Sequence, residues 1–180
     1  MSATIGSSAA PLVARAEIVV AVDPEKAFEA WTAGINNWWK LDSPFWMDKE
    51  RRLGLRFEPE VGGRFIEVYD EETGEGYEIG RVTAWEPGHK LGYTWRQADW
   101  PEEAITDVTV TFEPVGNCTR VGVRHTGFEK LREAGVGWAS GYNQGLRMLL
   151  DWFAEAVTAE EHGGLAPRTS LGELLGQHVH

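Results

Sequence analysis

Five histidines are the candidates for acid–base or metal chemistry: His89, His125, His162, His178 and His180. Only the last two stand at a spacing that could share an ion, and that pair is expected to be solvated. His125 is different. In "TRVGVRHTGF" it shares the two-residue phase of Val121 and Val123, so if those valines face a core the imidazole does too. A lone inward histidine is in general a hydrogen-bonded structural residue. The sharper reading makes it a polar fixing group in an aromatic cavity, or a general base. Glu67, Glu78 and Arg81 are expected on solvated strand faces, although Arg81, alternating with Gly80 and Val82, could equally sit in a cavity and pair with a carboxylate.

No stronger catalytic constellation is present. HExxH, G-x-S-x-G, a Walker-type loop and a Rossmann fingerprint are all missing. "GEGYEIG" has the glycines of a phosphate loop, but its acidic neighbours would repel phosphate. Cys118 is the only cysteine, which excludes an intrachain disulfide and a thiolate metal cluster. Neither a metal nor a cofactor is expected.

Recognition chemistry is more evident. "GINNWWKLDSPFWM" places Trp38, Trp39, Phe45 and Trp46 in a stretch whose other residues are those of a loop. Nine tryptophans in 180 residues is a high count, and large aromatics suit both cores and recognition surfaces because they bury much area for little side-chain entropy. Trp38 and Trp39 are adjacent, so they diverge and one can pack inward while the other faces out. One of them, with Phe45 and Trp46, is expected to form an aromatic lid; the alternative is a hydrophobic plug that binds nothing. Tyr93 and Trp95 on a neighbouring strand, and Trp138 and Tyr142 near the end of the chain, could complete an aromatic wall around His125.

The elements that must hold these side chains are legible. "ARAEIVVAV" reads as a strand, and "DPEKAFEAWT" as a helix capped by Asp23 with Pro24 in its first turn. One short helical turn is expected through Asn36 to Trp39. From Arg52 the period becomes two, with six strand candidates separated by turn signals: "RLGLRFEP", "GGRFIEVYD", "YEIGRVTAWEP", "HKLGYTWRQ", "AITDVTVTFEP" and "TRVGVRHTGF". Leu91, Tyr93 and Trp95 share a face, as do Val108, Val110 and Phe112. A long helix follows from Gly137 to about Val157. Residues 1–12 are expected to be a disordered lead-in, 13–158 a single domain and 159–180 a flexible tail, with a weak capping-box match at Ser170 and Glu173. The order predicts an α+β fold, an antiparallel sheet with helices on one face.

On the last helix, Trp138, Tyr142, Gly145, Leu149, Phe153 and Ala156 form one stripe. Gly137, Gly141, Met148 and Trp152 widen it on one side, and Leu146 and Leu150 on the other. Such an arc exceeds what a flat surface needs and suits a helix gripped by a curved sheet. Gly137, Gly141 and Gly145 each cost about 1 kcal/mol against alanine, so they are expected to serve close approach to the sheet, or to leave room for a ligand.

The formal net charge is −11, which argues against nucleic acid or an anionic membrane as partner. No apolar run approaches membrane-spanning length, and "MSATIGSSAAPLV" lacks the basic and apolar regions of a secretory signal. A cytoplasmic location is expected, and the sequon at Asn117 reads as chance.

"DPEKAFEAWT", "GGRFIEV", "GRVTAWEPGHKLGYTW", "VTVTFEPVGNCTRVGVRHTGF" and the late "GW" resemble the Hsp90-ATPase-activator-homologue-like branch of the START-like (SRPBCC) superfamily over roughly Ala14 to Val157. The resemblance implies the helix-grip fold, in which a curved antiparallel sheet wraps a C-terminal helix around an elongated apolar cavity. "WW" and "V-x-V-x-H-T-x-F" also resemble, more weakly, the enediyne (calicheamicin-type) self-resistance members, which sacrifice a backbone glycine to the drug. The variable loop "RQADWPEEA" has no glycine, so no sacrificial residue is assigned.

Three functions follow in order. First is non-enzymatic binding of a hydrophobic aromatic or polycyclic small molecule, for sequestration or antibiotic self-protection, through Trp38, Trp39, Phe45, Trp46, Tyr93, Trp95, His125, Trp138 and Tyr142. Second is interaction with an Hsp90-type chaperone, ranked lower because only "DKERR" offers a basic patch. Third is an enzyme of the polyketide cyclase/aromatase kind using His125 or a buried carboxylate.

Overall fold

Residues 12–161 are described by a computed structural model. In chain order they form β1 (Ala14–Val20), α1 (Pro24–Trp31), a 3-10 turn (Ile35–Asn37), β2 (Gly54–Phe57), β3 (Arg64–Val68), β4 (Gly76–Glu86), β5 (Lys90–Trp95), β6 (Thr106–Val115), β7 (Cys118–Thr126), a 3-10 segment (Phe128–Ala134) and α2 (Gly135–Glu161). The expected lead-in falls outside the described residues except for Leu12. The tail beyond Glu161, with His162, Ser170, Glu173, His178 and His180, falls outside them entirely.

Local chemistry explains the first elements. Asp23 caps α1 by accepting a hydrogen bond from the Lys26 amide at 2.8 Å, and Pro24 takes the first turn, where its missing N–H costs nothing. Ala27, Phe28 and Trp31 turn their faces to the core, and the chain leaves the helix at Thr32. The short helical turn forms slightly earlier than expected, at Ile35–Asn37.

The seven strands make one antiparallel sheet in the order β1-β7-β6-β5-β4-β3-β2. Register shifts between Phe65 and Ile66 on β3, and between Val82 and Ala84 on β4, add local bend and twist. The sheet curls into a half-barrel around α2, so the fold is α+β and of the helix-grip form. Its inner face carries Leu91, Tyr93 and Trp95 from β5, Val108, Val110 and Phe112 from β6, and Val121, Val123 and His125 from β7, all buried. After β7, Gly127 adopts φ 101°, a left-handed turn that redirects the chain toward α2.

α2 has 27 residues and so spans about 40 Å. Its buried arc runs through Tyr142, Gly145, Leu146, Leu149, Leu150, Phe153 and Val157. Of the expected widening on the glycine side only Trp152 packs against the core, half-buried; Gly137, Gly141 and Met148 are exposed. Among the described residues nothing lies within 4 Å of a Cβ added at Gly137 or Gly141, so close approach to the sheet does not explain them. Of these three only Gly145 is crowded, and by a loop side chain: a Cβ there would run into the Phe45 ring.

Candidate functional site

Between the sheet and α2 lies a small cavity lined by Trp31, Trp39, Phe45, Tyr93, Trp95, Val108, Val123, His125, Tyr142, Leu146 and Leu149. Its volume is about 30 Å³, room for about one water. Ligand pockets for drug-sized molecules are roughly tenfold larger. As folded, aromatic rings fill the space.

His125 enters from β7, opposite Val108 of β6, which puts it on the inner face. Its Nε2 lies 2.7 Å from the Thr106 Oγ1, and the Thr106 hydroxyl donates to the Trp95 carbonyl, also at 2.7 Å. That hydroxyl has one proton, so it accepts from the imidazole. The neutral ring therefore carries its proton on Nε2 and presents Nδ1 as an acceptor. Burial among Phe128, Tyr142 and Trp95 pushes the His125 pKa down to about 3, because the charged form would lose its hydration. A group so weakly basic is suited to hold a ligand in place and poorly matched to proton abstraction near neutrality.

Tyr142 links the helix to the sheet. Its hydroxyl accepts from the Trp95 indole N–H at 2.9 Å and donates to the Gln97 side-chain oxygen. Burial raises the pKa of Tyr142 and that of Tyr93, so both stay neutral phenols. The indole N–H of Trp31 works against the Tyr93 shift, yet it does not reach hydrogen-bond geometry. Trp31, Trp39 and Trp100 each have a buried indole N–H without a partner among the described residues, and the first two line the cavity.

The structure brings six of the nine sequence-derived residues to this cavity: Trp39, Phe45, Tyr93, Trp95, His125 and Tyr142. Trp38, Trp46 and Trp138 lie elsewhere. Trp38 packs on Trp31 and Phe153, at 4.8 and 5.3 Å between centroids, and donates to the Ala30 carbonyl at 2.9 Å. Both Trp38 and Trp39 are buried, so the expectation that one faces outward fails; their divergence sends them to two parts of one core. Trp46 donates to the Lys40 carbonyl at 2.9 Å and lies under the Arg52 guanidinium, closing the loop on itself. Trp138 stands half-buried beyond the cavity, edge-on to Trp100 at 5.3 Å.

A second correction concerns Glu67. Expected on a solvated face, it is 0% exposed. Its carboxylate accepts from the Met47 amide at 2.7 Å, the Asp48 amide at 2.9 Å and the Tyr69 hydroxyl at 2.8 Å, and so anchors the end of the aromatic loop to β3. Glu78 and Arg81 are solvated as expected and pair with each other on the surface.

The sequence as a whole places this arrangement. A family model described as activator of Hsp90 ATPase homolog 1-like protein matches residues 21–157. The chain belongs to that family. No curated relative matches. Among solved structures, this family member is similar to the Aha1 dimer from Colwellia psychrerythraea, 20% identical with a TM-score of 0.58 over 81% of this chain and 95% of that one. CalU16 from Micromonospora echinospora is 18% identical, with a TM-score of 0.50 over 83% and 86% of the two chains. Both likenesses concern the fold. Txn09, an anthrahydroquino-gamma-pyrone synthase complexed with SUM, is 29% identical, with a TM-score of 0.53 over 82% of this chain and 97% of that one.

Sequence reasoning missed Trp31, Leu146, Leu149, Val108 and Val123 in the lining, all of them inward positions of elements it had identified. It also missed Thr106 and Gln97, the partners of His125 and Tyr142. The two-residue period of β6 put Thr106 in phase with Val108 and Val110, a signal that was available. Among the described residues no group of three or more His, Cys, Asp or Glu could hold a metal, and no helix is long and apolar enough to cross a membrane.

Proposed function

We propose that this member of the family binds a neutral, planar aromatic or polycyclic small molecule between the sheet and α2, without turning it over. The observation that carries the reading is the lining itself: aromatic rings from two helices, a strand and a loop converge on one cavity, with His125, Tyr93, Tyr142 and the indole N–H groups of Trp31 and Trp39 among its polar groups. Rings of that kind stack on flat π-systems, and the polar groups, all neutral near pH 7, favour an uncharged partner. Sequestration of an aromatic antibiotic fits this chemistry.

A second reading is favoured by the 29% identity to Txn09: the same cavity would hold an aromatic polyketide during ring formation. The low basicity of His125 ranks it second. Chaperone binding comes third, because the net charge of −11 leaves little basic surface for an acidic partner.

The test is quenching of tryptophan fluorescence by 1,8-dihydroxyanthraquinone, with stearate as control. Saturable quenching that is lost in Tyr142→Ala is expected. Equal responses to both compounds, or quenching that survives the substitution, would refute the reading.

A further inference from the structure

A cavity of about 30 Å³ cannot hold even one aromatic ring, so binding requires a side chain to leave. The candidates differ in how firmly they are held. Trp31 belongs to α1 and Trp95 and Tyr93 to β5. Trp39 is buried, and its amide donates to the Ile35 carbonyl at 3.0 Å. Phe45 is half-buried in a stretch with no regular structure, and among the described residues its amide is held by the Ser43 hydroxyl, two positions back, at 2.9 Å.

The frame around Phe45 is fixed independently of its ring. The Trp46 indole N–H and the Ser43 amide both donate to the Lys40 carbonyl, at 2.9 and 3.1 Å. Met47 and Asp48 are tied to the Glu67 carboxylate, and the Arg52 guanidinium donates to the Leu41 carbonyl at 2.9 Å. The ring can therefore leave while its loop stays. Its slot has the form of an aromatic site: Tyr142 lies 6.2 Å away at 26°, near stacking, Trp39 stands edge-on at 6.2 Å, and the floor is the bare backbone of Gly145. A helical glycine costs about 1 kcal/mol against alanine, and at position 145 the three atoms nearest an added Cβ all belong to this ring.

We infer that Phe45 is a built-in occupant of the binding site: the ligand's aromatic ring replaces it on Tyr142 and Gly145, and the Phe45 ring swings out to let it in. The inference rests on the binding reading above and narrows it to ligands with at least one flat ring, to the exclusion of fatty acids and other flexible chains. Since only the fraction of molecules with the slot vacated is competent, affinity is reduced by that fraction, and emptying the slot restores it.

Calorimetric titration of the full-length chain with 1,8-dihydroxyanthraquinone tests this. Phe45→Ala is expected to bind about tenfold more tightly than the wild type, and Phe45→Leu, which keeps the loop's apolar contact, to fall between them. Gly145→Ala is expected to bind at least tenfold more weakly, and Gly141→Ala, on the exposed side of α2, to bind as the wild type does. A wild type that does not bind alongside a Phe45→Ala that does would overturn the inference, since no ligand then displaces the ring, and the binding reading would fall with it. If both Phe45 variants bind more weakly than the wild type, or no differently, Phe45 is a wall and not an occupant, and the binding reading survives alone. If no variant binds the compound, both fall.

Discussion

Replacing Glu67 by glutamine tests whether the loop that carries Phe45 is held from below. The carboxylate is fully buried and accepts three hydrogen bonds, from the Met47 and Asp48 amides and the Tyr69 hydroxyl. Glutamine keeps the shape but offers one oxygen. That oxygen can retain Asp48 and Tyr69, while the new NH2 faces the Met47 N–H, donor against donor. Hydrogen bonds to a charged group contribute about 1.5–3 kcal/mol each and neutral ones about 0.5–1.5 kcal/mol. Two bonds each weakened by about 1 kcal/mol, and a third lost at about 2 kcal/mol, give a destabilisation of about 4 kcal/mol. For a domain of this size that lowers the melting temperature by roughly 8–16 °C. Hydrogen exchange should accelerate first at Met47 and Asp48. A shift below 2 °C, with both amides exchanging at the wild-type rate, would refute the claim that Glu67 anchors the loop.

Other expectations follow from the same geometry. The unfolded chain protonates His125 below about pH 6.5, the folded chain only near pH 3, so stability is complete above pH 6.5 and falls as pH drops. Denaturant titrations should show a loss of about 2 kcal/mol between pH 6.5 and 5 that is absent in His125→Phe; the stabilisation from Glu58, whose pKa Arg64 holds at about 2, is present above its unfolded value of 4.5 and is lost only as pH falls below it. Thr106→Val removes the acceptor of the Nε2 proton and should cost about 1–3 kcal/mol, with the imidazole nitrogen resonances moving away from a pure Nε2–H tautomer. Gly137→Ala and Gly141→Ala should each stabilise the chain by about 0.4–1 kcal/mol, whereas Gly145→Ala should destabilise it, as urea midpoints will report.

Strand and helix positions were legible because their signals are local. Asp23-Pro24 marks a helix start, and the alternation in "KLGYTW" and "TRVGVRHT" marks inner faces whichever partner strand they meet. That is why Tyr93, Trp95, His125 and Tyr142 could be named in advance. Glu67 could not, since its burial depends on two amides about twenty residues away turning inward to meet it, and nothing in "GGRFIEV" announces them. The same holds for Trp38 and Trp39. Adjacency fixes only that they diverge; that both directions lead into the core follows from where α1 and α2 lie, with Phe153 waiting for Trp38 and Phe45 for Trp39. Gly137, Gly141 and Gly145 share a spacing but not an environment: the Phe45 ring crosses at Gly145, and the other two are exposed.

The central claim is that a flat aromatic ligand enters the cavity between the sheet and α2, and the nine indole N–H groups report on it directly. In a nitrogen–proton correlation spectrum recorded during titration with 1,8-dihydroxyanthraquinone, the resonances of Trp31, Trp39 and Trp95, which line the cavity, should shift together and saturate. Those of Trp85 and Trp152, which lie outside it, should stay in place. Shifts confined to Trp85 and Trp152, or no saturable shift at the three lining indoles, would contradict the account.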